Sequence, residues 1–308
     1  MFPRLLSNFK GAFCPKDLIV GEKMSKPKFG PGGNSDSFHL TKLATTKAPI
    51  WVKEFGLDAY EYEAGRGVPK NLESFKTLGE NARQAGVSLS IHAPYFISLS
   101  SVEEEKRKNS SRYILESAMA LKEMGGRTIV IHAGSCAKIS REIAAEYAKE
   151  ALRFAIDVLH EADLYGFDLG IETMGKVNQF GTLDEVIDMC SVDKTVVPVI
   201  DFGHMNAREM GGVFVTVDDY KRVFDRVAKG VSPEAAQNLH CHFSKIEYTV
   251  GGEKKHLTFD DDKFGPDFEP LVKAIYELGV TPTIICESDG TQAEDALAMK
   301  KCYNAMGI

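Results

Sequence analysis

The chain of 308 residues is 44% hydrophobic, long enough to bury one large core, and its net charge of −7 gives no general attraction for nucleic acid. A local basic rim remains compatible with that charge, so composition neither requires nor excludes DNA. The six cysteines (Cys14, Cys136, Cys190, Cys241, Cys286 and Cys302) form no CxxC pair, and two fall in apolar strand-like runs, the pattern of reduced thiols in a cytoplasmic protein.

Residues 1–26 precede the first strand-like run and contain a second methionine, Met24. They lack the unbroken apolar core of a signal peptide, and Asp17 and Glu22 interrupt the basic character of an organelle-targeting segment. They read as an extension outside the main domain. No apolar run in the chain reaches bilayer length, so no membrane partner is expected.

From Lys28 onward, short β-rich runs alternate with segments of helical period. The strands are predicted at 28–33, 57–64, 87–93, 127–133, 167–173, 195–201, 238–244 and 281–288. Between them, 140–165 places apolar residues three and four apart, and Gly166 is the expected stop. Gly30, Pro31, Gly32 and Gly33 crowd the end of the first strand, where a tight turn is the simpler reading and a close approach to a ligand the other. No linker divides the chain. Eight βα units over 27–308 predict one (β/α)8 TIM barrel; a doubly wound sheet would want a glycine fingerprint that GPGGNS does not match.

In such a barrel the carboxyl ends of the strands converge on one face. Six of the eight histidines (His92, His132, His204, His240, His242 and His256) fall at predicted strand ends or in the loops after them, whereas His39 and His160 fall on helices. In strand order the candidates are His92, His132, Glu172, Asp201 with His204, His240 with His242, and Glu287, each about one βα unit from the next. Imidazole and carboxylate together suit zinc, manganese or iron, and the set exceeds what one ion can use, so two or three ions are expected. Glu172, central in strand order, is the choice for a bridging carboxylate. His240 and His242, two apart on one strand, point to the same side, and both could face the barrel mouth, one as ligand and one orienting it.

The motifs IHAPY (91–95), IHAGS (131–135), IET (171–173), DFGH (201–204), HCHFSK (240–245) and CES (286–288) together resemble the endonuclease IV family across residues 28–303. The resemblance implies a zinc-dependent barrel that cleaves DNA at abasic sites, with Glu172 and Glu287 placing the attacking hydroxide. It also implies one zinc on His92, His132 and Glu172, and a second on Glu172, Asp201, Glu287 and His240 or His242. Tyr95 matches a tyrosine near the DNA, and Lys254 and Lys255 are candidate phosphate contacts. The family's third ion, on His204 and a D-x-H motif, meets Lys254-Lys255-His256 here. A charged lysine cannot ligate in the aspartate's place, so that site is lost, weakened or completed by Glu253.

The quartet Glu172, Asp201, His240 or His242, and Glu287 also resembles a sugar isomerase or epimerase of the wider xylose isomerase-like superfamily. That alternative takes a small sugar and one manganese-like ion, and leaves His92 and His132 without a task. A barrel that binds metal or nucleic acid without catalysis ranks last. A cytoplasmic monomer is expected.

Overall fold

A computed structural model describes residues 26–307, so the predicted extension lies outside the described residues except for Lys26. Eight parallel strands wind in the order of the chain: β1 (Lys28–Pro31), β2 (Ala59–Glu63), β3 (Ser88–His92), β4 (Thr128–Ile131), β5 (Asp168–Glu172), β6 (Val196–Asp201) and β7 (His240–Phe243). The eighth, Thr283–Cys286, pairs with β7 on one side and β1 on the other. Two further strands, outside the barrel sheet, lie between β7 and that eighth one, which is therefore β10.

The ring closes between β1 and β2 through a single parallel bridge, Gly32 to Glu61, flanked by backbone hydrogen bonds from Asp58 N to Phe29 O and from Gly33 N to Glu61 O, both 2.9 Å. Gly30 makes that closure sterically possible: a Cβ there would lie 1.8 Å from the carbonyl oxygen of Ala59. Helices cover the outside, their apolar faces meeting Ile91, Ile129, Ile131, Leu169, Ile171, Ile200 and Ile284 in a continuous core. The helix Leu72–Ala85 is capped by the Asn71 side chain and ends at Gly86 in a left-handed conformation.

The predicted TIM barrel and all eight predicted strands are present. Two expectations need correction. The helix predicted over 140–165 spans Arg141–Glu161, because Asp163 takes a positive φ of 54° and starts the turn before Gly166 does. The segment after β7, read as loop, forms an antiparallel hairpin of β8 (Lys245–Thr249) and β9 (Gly252–Leu257). Polar residues dominate both of its strands, so no apolar alternation marked it.

Cys241 and Cys286 are buried in β7 and β10, and burial raises both thiols; none of the five described cysteines is in a disulfide. His39 and His160 sit on helices, as expected. Among the described residues no helix is long and apolar enough to cross a membrane.

Candidate metal centre

The parallel register brings the strand ends to one level. His92, Glu172 and Asp201 are the last residues of β3, β5 and β6, and His132 and Glu287 follow β4 and β10 by one residue. His242 pairs with Asp201 on one side and Ile285 on the other. Asp201 also begins the helix Phe202–Arg208, and its Oδ1 accepts a 2.6 Å hydrogen bond from His204 N, which turns the His204 ring inward.

Glu172 is the hub, and it is fully buried. Its Oε2 lies 2.8 Å from His132 Nε2 and 3.4 Å from His92 Nε2, while its Oε1 lies 3.0 Å from His242 Nδ1 and 3.4 Å from His204 Nδ1. Glu287 Oε1 is 3.2 Å from the same His242 nitrogen. Donor atoms of Glu172, Asp201, His242 and Glu287 thus converge within 4.8 Å of one another, as do those of His92, Glu172 and His242. Another group joins His204, His256 and Glu287.

The site is electrostatically divided. Burial pushes the Glu172 carboxyl up, but the imidazoles of His242 and His132 outweigh it and hold the group well below the usual carboxylate range. Burial pushes Glu287 well above that range, with Glu172 and Asp201 adding repulsion that His242 only partly offsets. Burial lowers His132 and His256. Glu172 Oε2, Asp201 Oδ2 and His242 Nε2 are all buried without an aligned hydrogen bond. Leaving buried anionic oxygens without partners is costly, and divalent cations among them would satisfy these atoms directly. The donor set therefore fits metal ions.

His240 is brought elsewhere. It is the first residue of β7, at the amino-terminal end of the strand, and its Nε2 lies 2.9 Å from Glu61 Oε2 rather than at the mouth. The expectation that both histidines could face the mouth is corrected: one step of two residues along a strand, roughly 6.6 Å, separates the levels, and His242 alone joins Glu172, Asp201 and Glu287.

The mouth opens into a cavity of about 640 Å³ lined by His92, His132, His204, His256 and Glu287, with Tyr95, Lys254 and Lys255 at its rim. Tyr95 is 62% exposed, its ring stacked 6.0 Å from that of His132. Lys254 Nζ donates to Glu247 Oε1 at 2.6 Å. The hairpin explains this direction, because a bulge lets Glu247 pair with Lys255 and Tyr248 with Glu253, passing over Lys254. The extra residue turns Glu253 inward, where its Oε2 lies 3.5 Å from His204 Nε2, while His256 Nδ1 contacts Ser244 Oγ at 2.8 Å. Gly175 leaves the room, since a Cβ there would come within 2.8 Å of that Glu253 oxygen.

Sequence reasoning missed two acids of β2, Glu61 and Glu63. In AYEYE they alternate with Tyr60 and Tyr62, and period two puts both toward the barrel interior. Acidic residues at alternate positions of a strand in a closed barrel were the available signal. Glu63 lies against the glycines of the first loop: a Cβ at Gly33, whose φ is 75°, would sit 2.9 Å from Glu63 Cγ, and one at Gly32 3.3 Å from its Oε1. The glycines therefore serve both the turn and the site.

Burial pushes the Glu63 carboxyl up to about 7. The folded chain then keeps a proton that the unfolded chain releases near pH 4.5, so this stability is full below pH 4.5 and is lost as pH rises through 7. Glu63→Gln, neutral at every pH, should gain about 1–3 kcal/mol relative to wild type between pH 5 and pH 8. Denaturant midpoints measured in chelator check this, and a pH-independent difference would contradict it.

A family model described as xylose isomerase-like TIM barrel matches residues 50–302. The chain belongs to the xylose isomerase-like TIM barrel family. An uncharacterized protein of Methanocaldococcus jannaschii is 33% identical over 260 residues, covering 84% of this xylose isomerase-like barrel and 92% of that protein. A probable endonuclease 4 of Acholeplasma laidlawii is 30% identical over 242 residues, covering 71% and 78%. The resemblance to endonuclease IV seen in the motifs agrees with this relative. Solved structures of similar fold include endonuclease IV from Thermus thermophilus, with TM-score 0.60 and 22% identity over 91% of this chain and 98% of that one. They also include 3-keto-D-glucoside 4-epimerase from E. coli, with TM-score 0.63 and 16% identity over 91% and 99%. These two likenesses establish the fold, which hosts more than one chemistry.

Proposed function

We propose that this barrel is a zinc-dependent phosphodiesterase that cleaves DNA on the 5′ side of abasic sites. The observation that carries the proposal is the double use of Glu172: one oxygen faces His92 and His132, and the other faces the group of His242, Asp201 and Glu287. One carboxylate between two such groups would help to hold two ions, and a single-ion sugar isomerase has no use for the His92 and His132 side. Manganese and iron are the alternatives for the same donors. Glu253 takes the aspartate's part beside His204 and His256.

Bound ions would supply a water acidified toward neutrality and a positive field for the leaving oxygen. With the ions held, Glu172 and Glu287 would orient the attacking water toward the phosphorus. An abasic nucleotide, lacking a base to stack, leaves the duplex at lower cost than a paired one and reaches the cavity past Tyr95. Lys255 and Lys254 at the rim contact the phosphates, Lys254 by exchanging its partner Glu247.

A second reading, a sugar isomerase or epimerase, is favoured by Glu63, whose buried Oε1 has no partner and suits a hydroxyl better than a phosphate oxygen. Elemental analysis of purified protein, run beside a cleavage assay on abasic-site duplex at two salt concentrations, separates the two. At least two zinc ions per chain and cleavage that falls steeply with salt are expected. One ion, no cleavage and turnover of a ketose would replace the nuclease with the isomerase.

A further inference from the structure

Beneath the mouth, Glu61 is buried at 0% exposure in the centre of the barrel, an expensive place for a carboxylate. Three side chains hold it. Ser90 Oγ donates to its Oε2 at 2.6 Å, His240 Nε2 lies 2.9 Å from the same oxygen, and His242 Nε2 lies 2.8 Å from its Oε1. His240 borders a separate cavity at the opposite, amino-terminal end of the barrel, with Ser90 beside it. The column His240, Glu61, His242, Glu172 therefore runs through the barrel axis from one end to the other.

The His242 ring is the link. An anion stands at each of its nitrogens: Glu61 at Nε2, and Glu172 with Glu287 at Nδ1. A neutral imidazole carries one proton and one lone pair, and a lone pair aimed at a carboxylate is repelled. Three carboxylates (Glu172, Asp201 and Glu287) gather on the Nδ1 side, where a cation fits, while Glu61, already held by Ser90 and His240, is the carboxylate that meets Nε2, where a proton fits. The contact to Glu61 is close but not aligned as a hydrogen bond, whereas Nδ1 is aligned on Glu172 Oε1 at 3.0 Å; a cation among the carboxylates on the Nδ1 side would displace the proton to Nε2 and turn the ring toward Glu61.

We propose that Glu61 is a positioning residue that selects the His242 tautomer with its proton on Nε2 and its Nδ1 lone pair toward the ions, with Ser90 and His240 locking Glu61 in place. His240 then serves as a support and not as a ligand. The inference rests on reading Glu172, Asp201, His242 and Glu287 as metal ligands, and it applies to either substrate. Carboxylates that orient a ligating histidine typically contribute 10–100-fold in metal affinity.

The test uses the full chain loaded with zinc and, separately, with cobalt. In competition with a chromophoric chelator, Glu61→Gln should bind zinc 10–100-fold more weakly than wild type and should alter the visible cobalt spectrum. His240→Asn should keep the wild-type number of ions and lose no more than about tenfold in affinity. Nitrogen spectra of 15N-histidine-labelled, zinc-loaded wild type should show His242 metallated at Nδ1 and protonated at Nε2, a result that does not depend on any variant folding. Wild-type affinity and cobalt spectrum in Glu61→Gln, loss of an ion in His240→Asn, or zinc on His242 Nε2 would each overturn the inference alone. A wild-type protein that binds no metal would overturn both it and the functional reading.

Discussion

Replacing Glu172 by glutamine is expected to remove ions from both groups at once and to lower cleavage by about 10²–10³-fold, the scale of losing one preorganised electrostatic element. The substitution keeps the shape of the side chain and deletes the one charge that reaches His92 and His132 through one oxygen and His242 and His204 through the other. Asp201 and Glu287 share no group of converging donors with His92 or His132, so neither replaces Glu172 as a carboxylate on that side. Elemental analysis of the variant checks the stoichiometry, and the abasic-duplex assay checks the rate. Loss of a single ion, with the other held at wild-type affinity, would show that Glu172 serves one group and would remove the argument for a bridged pair.

Stripping the protein with chelator is expected to lower its unfolding temperature by about 6 °C for each zinc ion lost, relative to zinc at a thousandfold excess over Kd. Ligand that binds only the folded state stabilises it by about 4 kcal/mol at that excess. An unfolding entropy of about 2.1 cal/mol/K per residue converts this to about 6 °C for 308 residues. The physical source is the cluster itself. Four carboxylates (Glu61, Glu172, Asp201 and Glu287) surround His242, and three of them are fully buried. Without cations, neighbouring imidazoles and the raised proton affinity of Glu287 are what offset their repulsion. A scanning calorimetry trace unchanged by chelator and by added zinc would mean that the cluster is satisfied by hydrogen bonds alone.

Much of this was written in the chain. The barrel followed from eight repeats of strand and helix, and each predicted strand lies within about two residues of an observed one because apolar alternation between glycines is a local property. His92, His132, Glu172, Asp201 and Glu287 could be picked out for the same reason: the carboxyl end of a parallel strand is visible as the point where the apolar run stops. Lys254 could be flagged as an unsuitable ligand from its charge alone. Glu253 could be named as a substitute.

Other assignments depended on contacts between distant segments. His240 and His242 share a face in any strand, and only the height of β7 in the barrel shows that both reach Glu61 while His242 alone also meets Glu172 and Glu287. Glu61 and Glu63 lie in a tyrosine-rich strand whose acids would face water in an open sheet; closure of the ring turned them inward. The bulge that swings Glu253 toward His204 exists in the pairing of β8 with β9 and in no single residue. Local periodicity and charge thus determined the fold and the types of donor available at its mouth. Which donors meet was decided by strand register and barrel closure, because pairings between residues as distant as Glu61 and His240, 179 positions apart, are properties of packing that no window of sequence contains.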